Sequence, residues 1–533
     1  MENTKIWDYY QRGVDHHNIQ NIYAQAKQNY NFYFGDQWNG CKSGNEELPV
    51  LNFIKPVCKY KISMIAQNLM SIVYNNISEN ENDGRICSAL TQFAQEQWEK
   101  TKMDSLSWEI IKNACVNGDH YLYCYEDSPY KNSVAKKGCP KIKMKSVAST
   151  NIYFSDEQNP VIDEQEYIII AERLPVSLVR QMAKNNKIPT YDIAKITSDD
   201  NDETSRFGCE DEVETDLGKC TSILFMQKTK DGIEFCRSVK SLIYEPFKLI
   251  KGLNIYPVAG MRWETMPNSA RGMGCVKNMI ANQLEVNKTA ARRAVIVKKF
   301  TFPLMVYDNE KVANPEDLSV AGAVIGVENL ENTAINSIVD YISPAPLSQD
   351  AQILQNELMV MTRELEGASD AAIGQIDPTK ASGEAIKAVR DQAAIPLNEQ
   401  INNYRQLVED IAFIWFKMWA AYSPYGLDIS YNKNGKIKTE KIKTEELLRL
   451  EPEIKIDVSP VDPFSRLSRE ISLERLMQQN LITFEEYVNS LSGNSTVPKN
   501  KLQEILNNRK IKAEKTLPPI ESINIDEVLA QLN

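Results

Sequence analysis

Chemistry in this chain would have to come from its cysteines, its three histidines, one glycine-flanked loop or one acidic run. Ten cysteines stand at positions 41, 58, 87, 115, 124, 139, 209, 220, 236 and 275, and none forms a Cys-x-x-Cys pair. A zinc site of the usual local spacing is therefore not expected; scattered reduced thiols are. His16 and His17 are adjacent, so on a helix they point about 100° apart and cannot share a metal by the i, i+4 route. His120 reads as a packed strand residue. Gly35 to Ser43 approaches a phosphate loop, but Cys41 separates Gly40 from Lys42. That pattern needs Lys directly after the glycine, so that its amine reaches the cradled phosphates, and it needs a strand in front. The segment reads instead as a loop around Trp38. The carboxylate run from Asp199 to Asp216 lacks the ligand spacing of a calcium loop and reads as a solvated surface. No catalytic residue, metal ligand or cofactor is expected.

The elements that would position any site follow from length and patterning. At 533 residues the chain should divide into several domains, and 25% charged with 42% hydrophobic residues is ordinary for a globular protein. The first residues hold no apolar stretch of a secretory signal. The most hydrophobic window, Ile411 to Ala421, is about half a bilayer span and contains Lys417, so no membrane span is expected. A net charge of −11 and a pI near 5.2 argue against tight, static binding of DNA through the whole surface.

Periodicity predicts helices over 18–34, 57–74 and 86–117, the last stopped by Gly118. Short strands follow over 120–125, 141–147, 167–171, 222–226 and 233–237, interrupted by a helix from Val176 to Asn185. An apolar strand over 255–264 leads to a long helix over about 273–299. Its middle is polar (Asn282, Gln283, Glu285, Asn287, Lys288), so neighbouring chains or a partner are expected to cover it. Its end is basic: Lys288, Arg292, Arg293, Lys298 and Lys299. Compensation of the helix dipole and a surface for nucleic acid or an acidic neighbour both explain that cluster.

Three strands are expected in 302–343, as a small β module between two helices. The second of these, from Ser348, carries Leu354, Leu358, Met361 and Leu365 on one stripe. A loop of small residues, Gly367 to Gly383, precedes a long helix whose stripe is Leu397, Ile401, Tyr404, Val408, Ile411, Trp415, Met418 and Tyr422. Pro396 should kink that helix near Ile395. Asn434-Gly435 marks a hairpin, Ile454 to Val458 a strand, and residues beyond 462 a mostly helical, polar segment.

This order of parts resembles the portal, or head-to-tail connector, proteins of tailed double-stranded DNA bacteriophages. The likeness is carried by Asn31 to Trp38 with Val50 to Pro56, by Arg262-Trp-Glu264, Arg271 to Gly274 and Asn282 to Asn287. Ser382 to Ile386 and Ile454 to Pro460 continue it. It covers about residues 20 to 490. The resemblance implies an α+β, multidomain subunit with no enzymatic activity. Residues 1–267 would form N-terminal helices and an α/β wing, 268–301 the first stem helix, 302–346 the clip and 347–366 the second stem helix. Residues 367–383 would be the tunnel loop, 384–422 the long kinked wing helix, 423–461 wing strands, and 462–533 a helical crown and tail.

The family's subunits form a homo-oligomeric ring, usually a dodecamer, at the portal vertex of the virion capsid, and double-stranded DNA passes through it during packaging and ejection. The implied partners are the terminase large subunit, tail adaptor or connector proteins, and the major capsid and scaffolding proteins, with no membrane. By position in that resemblance, Asp370, Gln375, Asp377, Lys380 and Ser382 would line or approach the bore. The residues leave two other readings open: a scaffold or minor capsid protein without a channel, and a packaging ATPase or nuclease. The second rests only on the near-miss at Gly35 to Ser43.

Overall fold

The computed structural model describes residues 2–39, 48–76, 80–127, 140–199, 218–301, 304–319, 322, 324–328, 334, 337–342, 350–368, 395–433, 436–460, 473–479, 481–490 and 501–502. It divides into two compact units, Met1–Ala66 with Met70–Asp457, and Gln67–Leu69 with Val458–Asn533.

The first unit opens with α1 (Asn3–Ile19), which the expected elements did not include, and α2 (Ile22–Phe34). Ile6, Tyr10, Val14 and His17 are buried at spacings of four, four and three, a helical stripe that is present in the sequence. The helix expected over 57–74 is α3 (Ile54–Ala66) followed by β1 (Asn68–Asn75). Met70, Ile72 and Tyr74 are buried in β1, and this alternation of two overrides the helical spacing. The helix expected over 86–117 is two: α4 (Glu81–Lys100) and α5 (Met103–Asn117). They break at Lys102, whose φ of 54° is left-handed, while Thr101 turns its hydroxyl back onto the Gln97 carbonyl at 2.8 Å.

Two antiparallel sheets follow. The smaller orders β3 (Ile142–Ala148), β2 (Asp119–Glu126) and β9 (Val258–Arg262) side by side. The larger is a meander of β4 (Ile152–Phe154), β5 (Tyr167–Pro175), β6 (Lys219–Thr229), β7 (Gly232–Val239) and β8 (Leu242–Lys251). Side chains alternate across β6. Ile223 and Phe225 pack with Ile6, Tyr10 and Val14 of α1, while Cys220 packs with Val179 and Ala183 of α6 (Val176–Asn185). A short α7 (Thr190–Ala194) follows α6. Neither sheet has parallel neighbours joined by crossover helices, so the wing expected as α/β is α+β.

A two-residue pairing of β10 (Glu264–Thr265) with β11 (Gly272–Met273) leads into α8 (Cys275–Thr301). The β module is an antiparallel ladder of β12 (Leu304–Tyr307) and β13 (Val339–Ile342), with an isolated bridge between Val312 and Val327. Two strands and a bridge thus stand, among the described residues, where three strands are expected. Then come α9 (Asp350–Leu365), α10 (Asn398–Tyr422), the hairpin of β14 (Leu427–Lys433) with β15 (Lys436–Ile442), α11 (Thr444–Arg449) and β16 (Glu453–Pro460). Helix α10 is a core element. Tyr404, Val408, Ile411, Trp415 and Met418 of its stripe are buried, and so are Leu407, Ile414 and Trp419 beside it.

The second unit contains α12 (Phe484–Ser490). There Tyr487 and Val488 pack with Leu473, Met477, Ile482 and Leu502. No helix among the described residues is long and apolar enough to cross a membrane.

Candidate functional site

Helices α8 and α9, with the base of the loop after α9, carry most of the expected site residues that the structure describes. The polar middle of α8 is used within its own chain. Gln283 Oε1 accepts from the Phe53 backbone N–H at 3.1 Å, and Gln283 Nε2 donates to the Leu51 carbonyl at 2.9 Å. Asn287 Oδ1 accepts from the Leu51 N–H at 3.0 Å, and Asn287 Nδ2 donates to Gln37 Oε1 at 2.5 Å. Two side chains thereby satisfy an extended backbone as a neighbouring strand would. The expectation that another chain must cover this part of α8 is corrected: Gln283 and Asn287 are buried, alongside Met279 and Val286.

The facing side of α9 is polar as well. Asn282 Nδ2 donates to Thr362 Oγ1 at 2.9 Å, and Arg293 Nη1 donates to Gln355 Oε1 at 2.7 Å. Gln355 and Thr362 are the buried residues of α9. Its apolar stripe faces away: Leu354, Met361 and Leu365 are 47%, 58% and 84% exposed. Ile353 and Val360 of α9, and Ile296 and Val297 of α8, are exposed too. The two helices therefore join through hydrogen bonds and leave apolar faces uncovered.

The basic cluster on α8 is partly neutralised. Glu285 lies 3.3 Å from Arg292 Nη1 and 4.0 Å from Lys288 Nζ, and Arg293 reaches Gln352 as well as Gln355. Lys298 belongs to the same helix; the Lys299 side chain lies outside the described residues.

Helix α9 ends in a Schellman turn. The Gly367 N–H donates to the Glu364 carbonyl at 2.9 Å and the Ala368 N–H to the Arg363 carbonyl at 2.8 Å, with Gly367 at φ 71°. A Cβ on Gly367 would stand 3.7 Å from Pro396 Cβ, so Gly367 and Pro396 are neighbours in space. Ala368 is fully buried at that point. Lys61 Nζ holds Glu366 at 2.5 Å, and Glu399 of α10 accepts from the Thr265 N–H at 3.1 Å. Pro396 lies in a 3-10 turn, Ile395–Leu397, immediately before α10. Whatever precedes that turn, and with it the expected kink, lies outside the described residues, as do Asp370, Gln375, Asp377, Lys380 and Ser382.

Two clusters escaped the sequence reading. Arg271, expected only as part of a turn, is a buried hub. It donates to Glu157 Oε1 at 2.7 Å, to the Ser149 and Ile152 carbonyls at 2.8 Å each, to Asp119 Oδ2 at 3.3 Å and to His17 Nε2 at 2.9 Å. Burial pushes the Glu157 carboxyl up, but the charge and hydrogen bonds of Arg271 more than offset it and hold it below the usual range. Burial, the largest cause, pushes His17 down to about 4. The second cluster is Cys58, Cys115 and Cys275, whose sulfurs meet in the interior. The expectation of scattered thiols fails for these three.

Helix, β module, helix, loop base and buried long helix stand in the order that a portal subunit implies. Residues 240–423, which run from β8 into α10 and its end, match the family model described as phage P22-like portal protein. Over that stretch the chain carries portal-family sequence, and the resemblance to phage portal proteins holds. No curated protein matches the chain.

Proposed function

We propose that this protein is the portal subunit of a tailed double-stranded DNA phage, a structural protein that assembles as a ring around a DNA channel. The family match over residues 240–423 carries the proposal, because it contains α8, the β module, α9, the loop and α10 together. The uncovered apolar faces of α8 and α9 support it, since a lone chain gains nothing by presenting Leu354, Met361 and Leu365 to water. The channel reading assigns residues 302–346 to docking of the packaging motor and later of tail adaptors. It places Asp370, Gln375, Asp377, Lys380 and Ser382 toward DNA.

Negative-stain images and native mass spectra of the purified full chain test the ring. Closed rings with a central hole are expected. Monomers over a wide concentration range overturn the proposal, and rings without a hole favour a scaffold. For the loop, Lys380→Glu is expected to change DNA packaging or retention while rings still assemble. Unchanged packaging removes Lys380 from the channel.

A further inference from the structure

Cys58 in α3, Cys115 in the last turn of α5 and Cys275 at the start of α8 come from three separate helices. The Cys275 sulfur lies 3.3 Å from that of Cys115 and 3.6 Å from that of Cys58, and all three are within 4.8 Å of one another. None reaches solvent to more than 1%. The backbone enforces this meeting. A Cβ on Gly274 would lie 2.6 Å from the Val116 carbonyl oxygen, and one on Gly118 would lie 2.2 Å from that of Gly272. Only glycines let the strand before α8 cross the end of α5 closely enough to seat Cys275 beside Cys115.

We infer that Cys58, Cys115 and Cys275 form a three-sulfur binding site for a thiophilic cation of the Zn²⁺ class. Around tetrahedral zinc, sulfurs at the usual bond length of about 2.3 Å stand about 3.8 Å apart; the two pairs that include Cys275 need to open by a few tenths of an ångström, and the third pair lies within 4.8 Å. Soft thiolates select such ions over hard ones. Three thiolates with a divalent cation leave one negative charge, and the cation that interacts with Cys275 is Lys61, on the same helix as Cys58 and already paired with Glu366. A bound cation would tie α3, α5 and α8 at one point and stabilise the chain by mass action.

The test uses the full chain, purified with a chelator and a non-thiol reductant, then titrated with Zn²⁺ and separately with Co²⁺. One ion per chain is expected, with a raised melting temperature. The Co²⁺ form should show a thiolate-to-cobalt charge-transfer band that Zn²⁺ displaces. Cys58→Ser, Cys115→Ser and Cys275→Ser should each remove that band, whereas Cys87→Ser, at a buried cysteine outside the cluster, should keep it. If a cluster variant does not fold, the Co²⁺ spectrum of the unaltered chain still decides. No charge-transfer band with all three thiols reduced overturns the site. So does a non-reducing peptide map of freshly isolated protein that shows Cys115 and Cys275 joined as a disulfide.

Discussion

The Arg271 guanidinium gathers acceptors from α1, β2, the turn before β4 and the segment at Glu157. Its side chain, that of Asp119 and that of Glu157 are 8%, 5% and 12% exposed, so removing the cation would strand two carboxylates away from water. Arg271→Ala is expected to cost about 3–5 kcal/mol by chemical denaturation; a loss below about 1 kcal/mol would mean that water reaches these carboxylates easily. His17 gives the same site a pH dependence. Its Nε2 accepts from Arg271, which requires neutral imidazole. With its folded pKa lowered from 6.5 to about 4, the unfolded chain takes up the proton first as pH falls. Stability should therefore drop between pH 6.5 and about 4, by about 3 kcal/mol from this group. His120, lowered to about 3 by burial first and Lys112 second, acts in the same direction. Asp119, raised chiefly by burial, opposes both. In denaturation curves across this range, His17→Gln should flatten the slope; an unchanged slope would assign the acid sensitivity to other groups.

At the scale of elements, the pairing of α8 with α9 inverts what amphipathic patterning predicts. A stripe such as Leu354, Leu358, Met361 and Leu365 ordinarily marks the buried side of a helix. Here Gln355 and Thr362 are buried, through hydrogen bonds to Arg293 and Asn282, Leu358 is half-buried, and Leu354, Met361 and Leu365 face out. Under the proposed assembly that stripe belongs to contacts between copies. Leu354→Asp with Met361→Asp should leave the far-UV circular dichroism and melting of the single chain nearly unchanged, because these side chains bury little within it. The same pair should abolish rings in light scattering and negative stain. A double variant that still forms rings would place the contact elsewhere. Sequence patterning located α6, α8 and α9 to within about two residues. It could not say which face of α9 turns inward, since that depends on hydrogen-bond partners far away in the chain. It merged α4 with α5 because Lys102, in a left-handed conformation, carries no glycine or proline to announce the break.

For the whole molecule, the legible and the hidden parts separate by the range of the interactions involved. The Asn434-Gly435 hairpin signal and the Gly118 helix stop act locally, and the structure puts β14–β15 and the end of α5 there. The Arg271 hub and the three-cysteine cluster join residues as much as 254 and 217 positions apart, and no local spacing reveals them. Charge is the property that sums over the entire chain without regard to fold, and −11 per copy sets the last expectation. Under the proposed function the ring must not retain the DNA that passes through it, so assembled protein should bind linear duplex more weakly than about 10⁻⁴ M at physiological salt. On α8, Arg292 shares Glu285 with Lys288, and Arg293 donates to Gln352 and Gln355. Reversing both, Arg292→Glu with Arg293→Glu, should weaken the α8–α9 pairing by about 1 kcal/mol through the lost hydrogen bonds. It should leave the dependence of DNA affinity on salt as it was. A logarithmic salt slope reduced by about 2 in the double variant would show instead that both arginines meet phosphate, and would make α8 part of the DNA-contacting surface.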